Sequence, residues 1–268
     1  MSSLAARRRS PYALLVLLVL GLMFTGTAYA ALQPGTARPG TSAATSSAEE
    51  VAQGQQLFLA NCASCHGLNA EGNEPIGPSL HGVGAAAVDF QVGTGRMPLA
   101  SPSTQSERNE QQVRFNQEEI SAMAAYVDSL GAGPAVPDEE WVDPSLGDPA
   151  NGGAIYRTNC AMCHNSSGTG GALTRGKYAP SLMGVQPVHI YEAMVTGPQA
   201  MPVFNDQNIT PEEKRDVIAF IDAIDNGVND HGGSGMGNLG PAGDTLFAWT
   251  FGIAAFLGAA VWLGRKAA

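Results

Sequence analysis

Cys62-Ala63-Ser64-Cys65-His66 recurs downstream as Cys160-Ala161-Met162-Cys163-His164, and these two stretches decide how the rest of the chain reads. They contain all four cysteines of the 268-residue sequence. An even cysteine count in an exported chain suggests disulfides first. A disulfide gives no reason for a histidine directly after each pair, so the repeat points to another chemistry.

The likeness extends outward from the motif. Gly54, Leu57, Phe58 and Asn61 precede the first stretch at the spacing with which Gly152, Ile155, Tyr156 and Asn159 precede the second. Downstream, Gly77-Pro78-Ser79-Leu80 is echoed by Ala179-Pro180-Ser181-Leu182, and Met97-Pro98 by Met201-Pro202. The soluble part is therefore an internal duplication. Each copy closes with a helix that carries its own start signal. Asn116 with Glu119 forms a capping-box pattern, and so does Thr210 with Glu213, where Pro211 takes the first helical position. Apolar Val217, Ile218, Ile221 and Ile224 follow at helical spacing. No stretch alternates as a strand, so the fold class is mainly α, in two tandem domains plus transmembrane helices.

Cys-x-x-Cys-His is the attachment pattern of c-type haem. Both thiols add to the haem vinyl groups and the adjacent histidine meets the iron, so all three residues must share one short helical turn. Two covalently bound haem c groups are expected, on Cys62 and Cys65 and on Cys160 and Cys163, with His66 and His164 as axial ligands. A zinc ion shared by the two cysteine pairs leaves both histidines and the duplication unexplained. A thioredoxin-like pair lacks its β-α-β surroundings. Met97 and Met201, each before a proline and downstream of a matched Pro-Ser-Leu, are the candidates for the second axial position, where a thioether raises the potential and blocks oxygen. Core filling is the alternative for any methionine. Met162, Met183 and Met194 compete with Met201 within the second copy but have weaker positions. His81, His189 and His231 have no counterpart in the other copy and read as loop or surface residues.

Both ends of the chain are apolar. Residues 1–31 form an N-terminal transmembrane helix behind Arg7, Arg8 and Arg9, or a signal sequence cleaved after Ala28-Tyr29-Ala30. Residues 245–264 form a C-terminal transmembrane helix closed by Arg265 and Lys266, with Trp249 and Trp262 near its ends as interfacial anchors. Basic outer flanks place both termini in the cytoplasm and the haem domains on the extracytoplasmic side of the cell membrane. The protein is multi-pass, or single-pass if the N-terminus is cleaved. Between the ends lie a flexible spacer at 32–48, domain 1 at 49–130, a Pro-rich connector at 131–149, domain 2 at 150–225 and a Gly-rich spacer at 226–244. Trp141, inside the connector, is expected to pack in the groove between the domains. Domain 1 has an insertion between its Met-Pro loop and closing helix, near residues 101–112, expected to dock on a partner subunit.

The formal net charge is −10. Leaving aside Asp244 among the 24 acids, and the five bases near the termini among the 14, residues 32–243 hold 23 acids against 9 bases, about −14. A nucleic-acid partner is thereby excluded. Scarce aromatic and charged residues, at 7% and 14%, with 33 glycines, suit short helices and irregular loops around a bulky apolar cofactor.

The two attachment motifs, the Pro-Ser-Leu loops and the Met-Pro loops resemble two class I cytochrome c domains in tandem. With the apolar ends, the order along nearly the whole chain is similar to the dihaem cytochrome c subunit of the actinobacterial cytochrome bc1 complex, the menaquinol to cytochrome c reductase. That resemblance implies a Rieske iron-sulfur subunit, a cytochrome b subunit and an aa-type oxidase as partners, with the chain relaying electrons between them. A dihaem subunit of a membrane-bound dehydrogenase or peroxidase, and a membrane-tethered haem sensor, remain as alternatives. The peroxidase would need an iron that can open a coordination site, and the sensor a ligand-responsive haem.

Overall fold

The computed structural model describes residues 11–32, 47–101, 103–227 and 241–266. Most of both predicted spacers, the N-terminal arginines and His231 lie outside the described residues. The chain divides into two units, Met1–Pro39 and Gly40–Ala268. In the first, helix α1 (Pro11–Leu32) contains no charged residue.

The second unit holds both copies of the duplication, and each is built on the crossing of its first and last helices. In domain 1 these are α2 (Ala48–Asn61) and α5 (Gln117–Ser129); in domain 2 they are α7 (Pro149–Asn159) and α10 (Pro211–Asp225). The repeated glycines explain how close the crossings are. A Cβ at Gly54 would overlap the carbonyl oxygen of Ala122, and one at Gly152 would overlap that of Asp216. One helical turn further on, Phe58 packs on Tyr126 with ring centroids 5.3 Å apart, and Tyr156 on Phe220 at 5.2 Å. Phe58 and Tyr156 are fully buried. Removing such a ring from water is worth roughly 1.5–3 kcal/mol, and a tilted aromatic pair adds about 0.5–1.5 kcal/mol. The crossing thus holds each copy together from its two ends.

Both predicted capping boxes are formed. The Glu119 amide donates to Asn116 Oδ1 at 2.9 Å while the Asn116 amide donates to Glu119 Oε2 at 2.9 Å, and Thr210 and Glu213 repeat the exchange at 3.2 and 2.8 Å. Short helices complete the domains: α3 (Ala63–His66) and α4 (Ala85–Gly93) in the first, α8 (Ala161–His164) and α9 (Pro187–Thr196) in the second, with α6 (Glu139–Val142) between them. The one sheet among the described residues is a two-residue hairpin, β1 (Gly171–Ala172) with β2 (Tyr178–Ala179). Helix α11 (Pro241–Lys266) follows, and its stretch Thr245–Lys266 is apolar and long enough to cross a membrane.

Three single-copy features depart from the sequence reading. Trp141 packs on the core of domain 2, with the Arg215 guanidinium 5.6 Å from its ring centre, so its packing partner is that domain. The insertion near 101–112 has a partner within its own chain. Gln105 exchanges hydrogen bonds with the backbone of Tyr178 at 2.7 and 2.9 Å, and Gln199 Nε2 donates to the Ser106 carbonyl at 2.9 Å. The Gln105 side chain satisfies backbone groups of Tyr178, and the Gln199 side chain of domain 2 satisfies the Ser106 carbonyl of the insertion.

His189 is the third departure, being buried on α9 instead of lying at the surface. It faces Asp89 of α4 and lies 2.9 Å from Glu192 Oε2, which joins the two domains through a buried polar cluster. Gln117 Nε2 donates to Asp89 Oδ1 at 2.8 Å. Burial, then the charge of Asp89, pushes the Glu192 carboxyl up to about 10. Burial likewise lowers the pKa of His189 against the pull of Asp89. Two neutral groups therefore share this contact, the arrangement a dry interface favours.

A carboxyl raised in the native state holds a proton that the unfolded chain has already released, so it removes stability as pH rises above its ordinary range. The depressed His189 works in the opposite sense only below its own ordinary range. Between pH 7 and pH 9 the stability of the two-domain unit should fall, and Glu192→Gln, which cannot ionise, should flatten that slope. Denaturant unfolding at the two pH values checks it.

Candidate functional site

Each attachment motif begins where the first helix of its domain ends. The Cys62 and Cys160 amides still donate to Phe58 and Tyr156, at 2.8 Å in both cases. The chain then turns once more. The His66 and His164 amides return to the carbonyls of Cys62 and Cys160 at 3.0 and 2.9 Å, closing a single helical turn. That turn puts the first cysteine, the second and the histidine on one face, at i, i+3 and i+4. Gly67 and Asn165, both at positive φ, end it, and the backbone loops back so that Gly72 and Gly170 donate to the histidine carbonyls at 2.7 and 2.9 Å.

The returning loop explains the repeated proline. The Pro78 carbonyl lies 2.8 Å from His66 Nδ1, and the Pro180 carbonyl 3.0 Å from His164 Nδ1. A carbonyl can only accept, so Nδ1 carries the proton and Nε2 is left as the lone-pair nitrogen of each ring. Such a bond fixes the ring and strengthens Nε2 as a metal ligand. Burial also lowers the pKa of His164, which keeps it in the neutral, ligating form.

None of the four thiols is paired. Burial, then the neighbouring Cys65, pushes the Cys62 thiol up to about 11, and burial with Cys163 does the same to Cys160. Hidden protonated thiols are unlike the low-pKa nucleophile of a dithiol oxidoreductase. Among the described residues, the one group of three or more metal-ligating side chains is Asp89, His189 and Glu192, which includes no cysteine. The cysteine pairs do not converge as a shared zinc site requires.

The structure brings Cys160, Cys163, His164 and Met201 together around one cavity, walled by apolar residues that include Ile190, Met194 and Val217. In domain 1, Cys62 and Met97 pack on the same buried cluster of Val92, Ile120 and Met123. Met162 and Met194 line the same cavity as Met201, and burial is what sets them apart. Met162 is 90% exposed, and Met194 is a core residue at 2%. A cavity lined by apolar side chains, two cysteines, a histidine and a methionine fits a covalently attached haem.

One residue of this arrangement escaped the sequence reading. Lys214 is fully buried, and its Nζ donates to Asp206 Oδ1 at 2.7 Å and to the Ile209 carbonyl at 2.6 Å. It pins the loop that follows Met201 to α10, while the Phe204 amide ties the same loop to the Met194 carbonyl at 2.8 Å.

Residues 51–131 match the family described as cytochrome c, and residues 147–221 match cytochrome C oxidase, cbb3-type, subunit III. Over 257 residues the chain is 41% identical to the cytochrome bc1 complex cytochrome c subunit of Mycobacterium tuberculosis, covering 94% of this chain and 90% of that protein. The chain belongs to that family. The proteins of the same name from Mycobacterium leprae and Corynebacterium diphtheriae are 43% identical over 219 residues and 38% over 247. These alignments cover 80% and 85% of this chain, and 75% and 86% of the two relatives. Family membership makes the chain a mainly helical, membrane-associated redox carrier with two cytochrome c domains and two covalent haem c groups.

Proposed function

We propose that the chain relays electrons within a respiratory quinol to cytochrome c reductase, using its two haems in series. Membership of the bc1 cytochrome c subunit family, together with the repeated Cys-x-x-Cys-His turn backed by a proline carbonyl, carries this reading. Haem 1 is held through Cys62 and Cys65 with His66 and Met97 as axial ligands; haem 2 is held through Cys160 and Cys163 with His164 and Met201. The two haem domains occupy 49–130 and 150–225, joined by the 131–149 connector. The Rieske iron-sulfur subunit supplies electrons beside the cytochrome b subunit, and an aa-type oxidase receives them. The complex is the translocating enzyme, and this chain alone is an electron carrier. Both haem domains sit outside the cell membrane. The chain crosses that membrane at 245–264, and again near its N-terminus if residues 1–31 are retained.

Bound haem supplies a reversible one-electron change at iron. The residues do the rest. Pro78 and Pro180 hold the imidazoles in one tautomer and one orientation. Met97 and Met201 would hold the iron through their sulfur, a ligand that would favour the reduced state and exclude oxygen.

Intact-mass measurement tests the haem assignment. The mature chain should carry the added mass of two haems, and Cys160→Ser with Cys163→Ser should remove one and leave the other. Loss of both, or of neither, contradicts the assignment.

Met97→His and Met201→His should each lower the midpoint potential of one haem only, because imidazole favours ferric iron more than a thioether does. Redox titration of the two variants should show separate shifts. A variant with unchanged potentials identifies its methionine as packing.

A further inference from the structure

The cavity of site 2 is not lined by domain 2 alone. Arg96, Gln105, Ser106 and Arg108 of domain 1 also face it. Arg96 is 7% exposed, and its Nη1 has no hydrogen-bond partner. Its guanidinium lies over the Phe90 ring, 4.6 Å from the centre, and it forms no ion pair among the described residues. Arg108 Nη1 is likewise buried without a partner. Its Nη2 donates to the Met183 carbonyl at 3.4 Å, and its Nε is 3.7 Å from Glu110, a carboxylate that is more than half exposed.

A buried guanidinium with an unpaired donor, as at Arg96, is unstable unless something negative joins it. The soluble part of the chain is strongly acidic, yet no carboxylate of its own pairs with Arg96 among the described residues. The loop that carries Arg108 is also fastened in place. Gln105 is bonded to Tyr178, two residues before Pro180, and Ser106 to Gln199, two residues before Met201. Domain 1 thus grips both loops that furnish the haem 2 site, and turns two arginines into its cavity.

We propose that Arg96 and Arg108 of domain 1 bind the propionate carboxylates of the haem attached to domain 2, so that the second haem site is completed by the first domain. The proposal rests on the assignment of haem 2 to Cys160, Cys163, His164 and Met201. A guanidinium is suited to a carboxylate through paired N–H donors. These are positioning residues, and their charge also favours the reduced, less positive haem. Arg96 directly precedes Met97, so one dipeptide reaches both haem sites and forms a short through-bond link between them.

The test is redox titration of the full-length haem-loaded protein and its Arg96→Gln, Arg96→Lys and Arg108→Gln variants. Haem 2 is identified as the centre missing from the Cys160→Ser, Cys163→Ser protein. Arg96→Gln and Arg108→Gln should each lower the potential of haem 2 by about 59 mV, roughly a tenfold shift in its redox equilibrium. In both, the pH dependence of that potential should move upward, because a propionate that loses its cation holds its proton more tightly. Arg96→Lys should keep most of the wild-type potential. If Arg96→Gln fails to mature, Arg108→Gln decides alone, being remote in sequence from Met97. Unchanged haem 2 potentials, or a shift confined to haem 1, overturn the proposal. If the cysteine double variant keeps both haems, the assignment of haem 2 itself is wrong, which is a different failure.

Discussion

The bond between each histidine Nδ1 and a proline carbonyl, at 2.8 Å in domain 1 and 3.0 Å in domain 2, is the constraint on which the sites depend. It fixes which nitrogen of the ring is free and where that nitrogen points. For the bond to form, the attachment turn must end abruptly and the loop must double back, which Gly67 and Asn165 permit at positive φ. The turn in turn needs a rigid platform. That platform is the end of a helix locked against its partner by a glycine crossing and an aromatic pair. Sequence features that look unrelated, a glycine eight positions before the first cysteine and a proline well after the histidine, thus serve one geometry.

Much of this was legible because it is local and because it occurs twice. The capping boxes, the first and last helices, the attachment turns and the Pro-Ser-Leu loops each involve neighbours in sequence, and the second copy served as a control on the first. What was missed occurs once. His189 meets Asp89 from the other domain, and periodicity along α9 contains no information about that partner. Lys214 reads as a solvated helix residue until Asp206 and Ile209 close over it. The insertion near 101–112 reads as a loop awaiting a foreign partner because Gln105 meets backbone groups of β2, and Ser106 meets the Gln199 side chain, only once the folded chain brings them near. Sequence reasoning fails here where the contact spans the two domains.

Those cross-domain contacts change how the molecule is understood. Two tandem cytochrome domains could be beads on a string, each complete in itself. Here α4 and α9 share a buried Asp-His-Glu cluster, and the domain 1 insertion holds the loops around Pro180 and Met201. The geometry of the second site is therefore set partly by the first domain. A fixed mutual arrangement suits a relay, in which each electron passes between two centres whose separation must not vary.

In the proposed relay, electrons travel through this one chain to the oxidase without a diffusing intermediary. A soluble carrier is oxidised at a rate that depends on its concentration and, through steering, on salt. A tethered carrier works at a fixed effective concentration. The direct measurement is rapid oxidation of the reduced haems in native membranes, with and without added soluble cytochrome c. A tethered relay gives first-order oxidation that added cytochrome leaves unchanged and ionic strength alters only weakly. A rate that rises with added cytochrome c, or that requires it, would contradict the account.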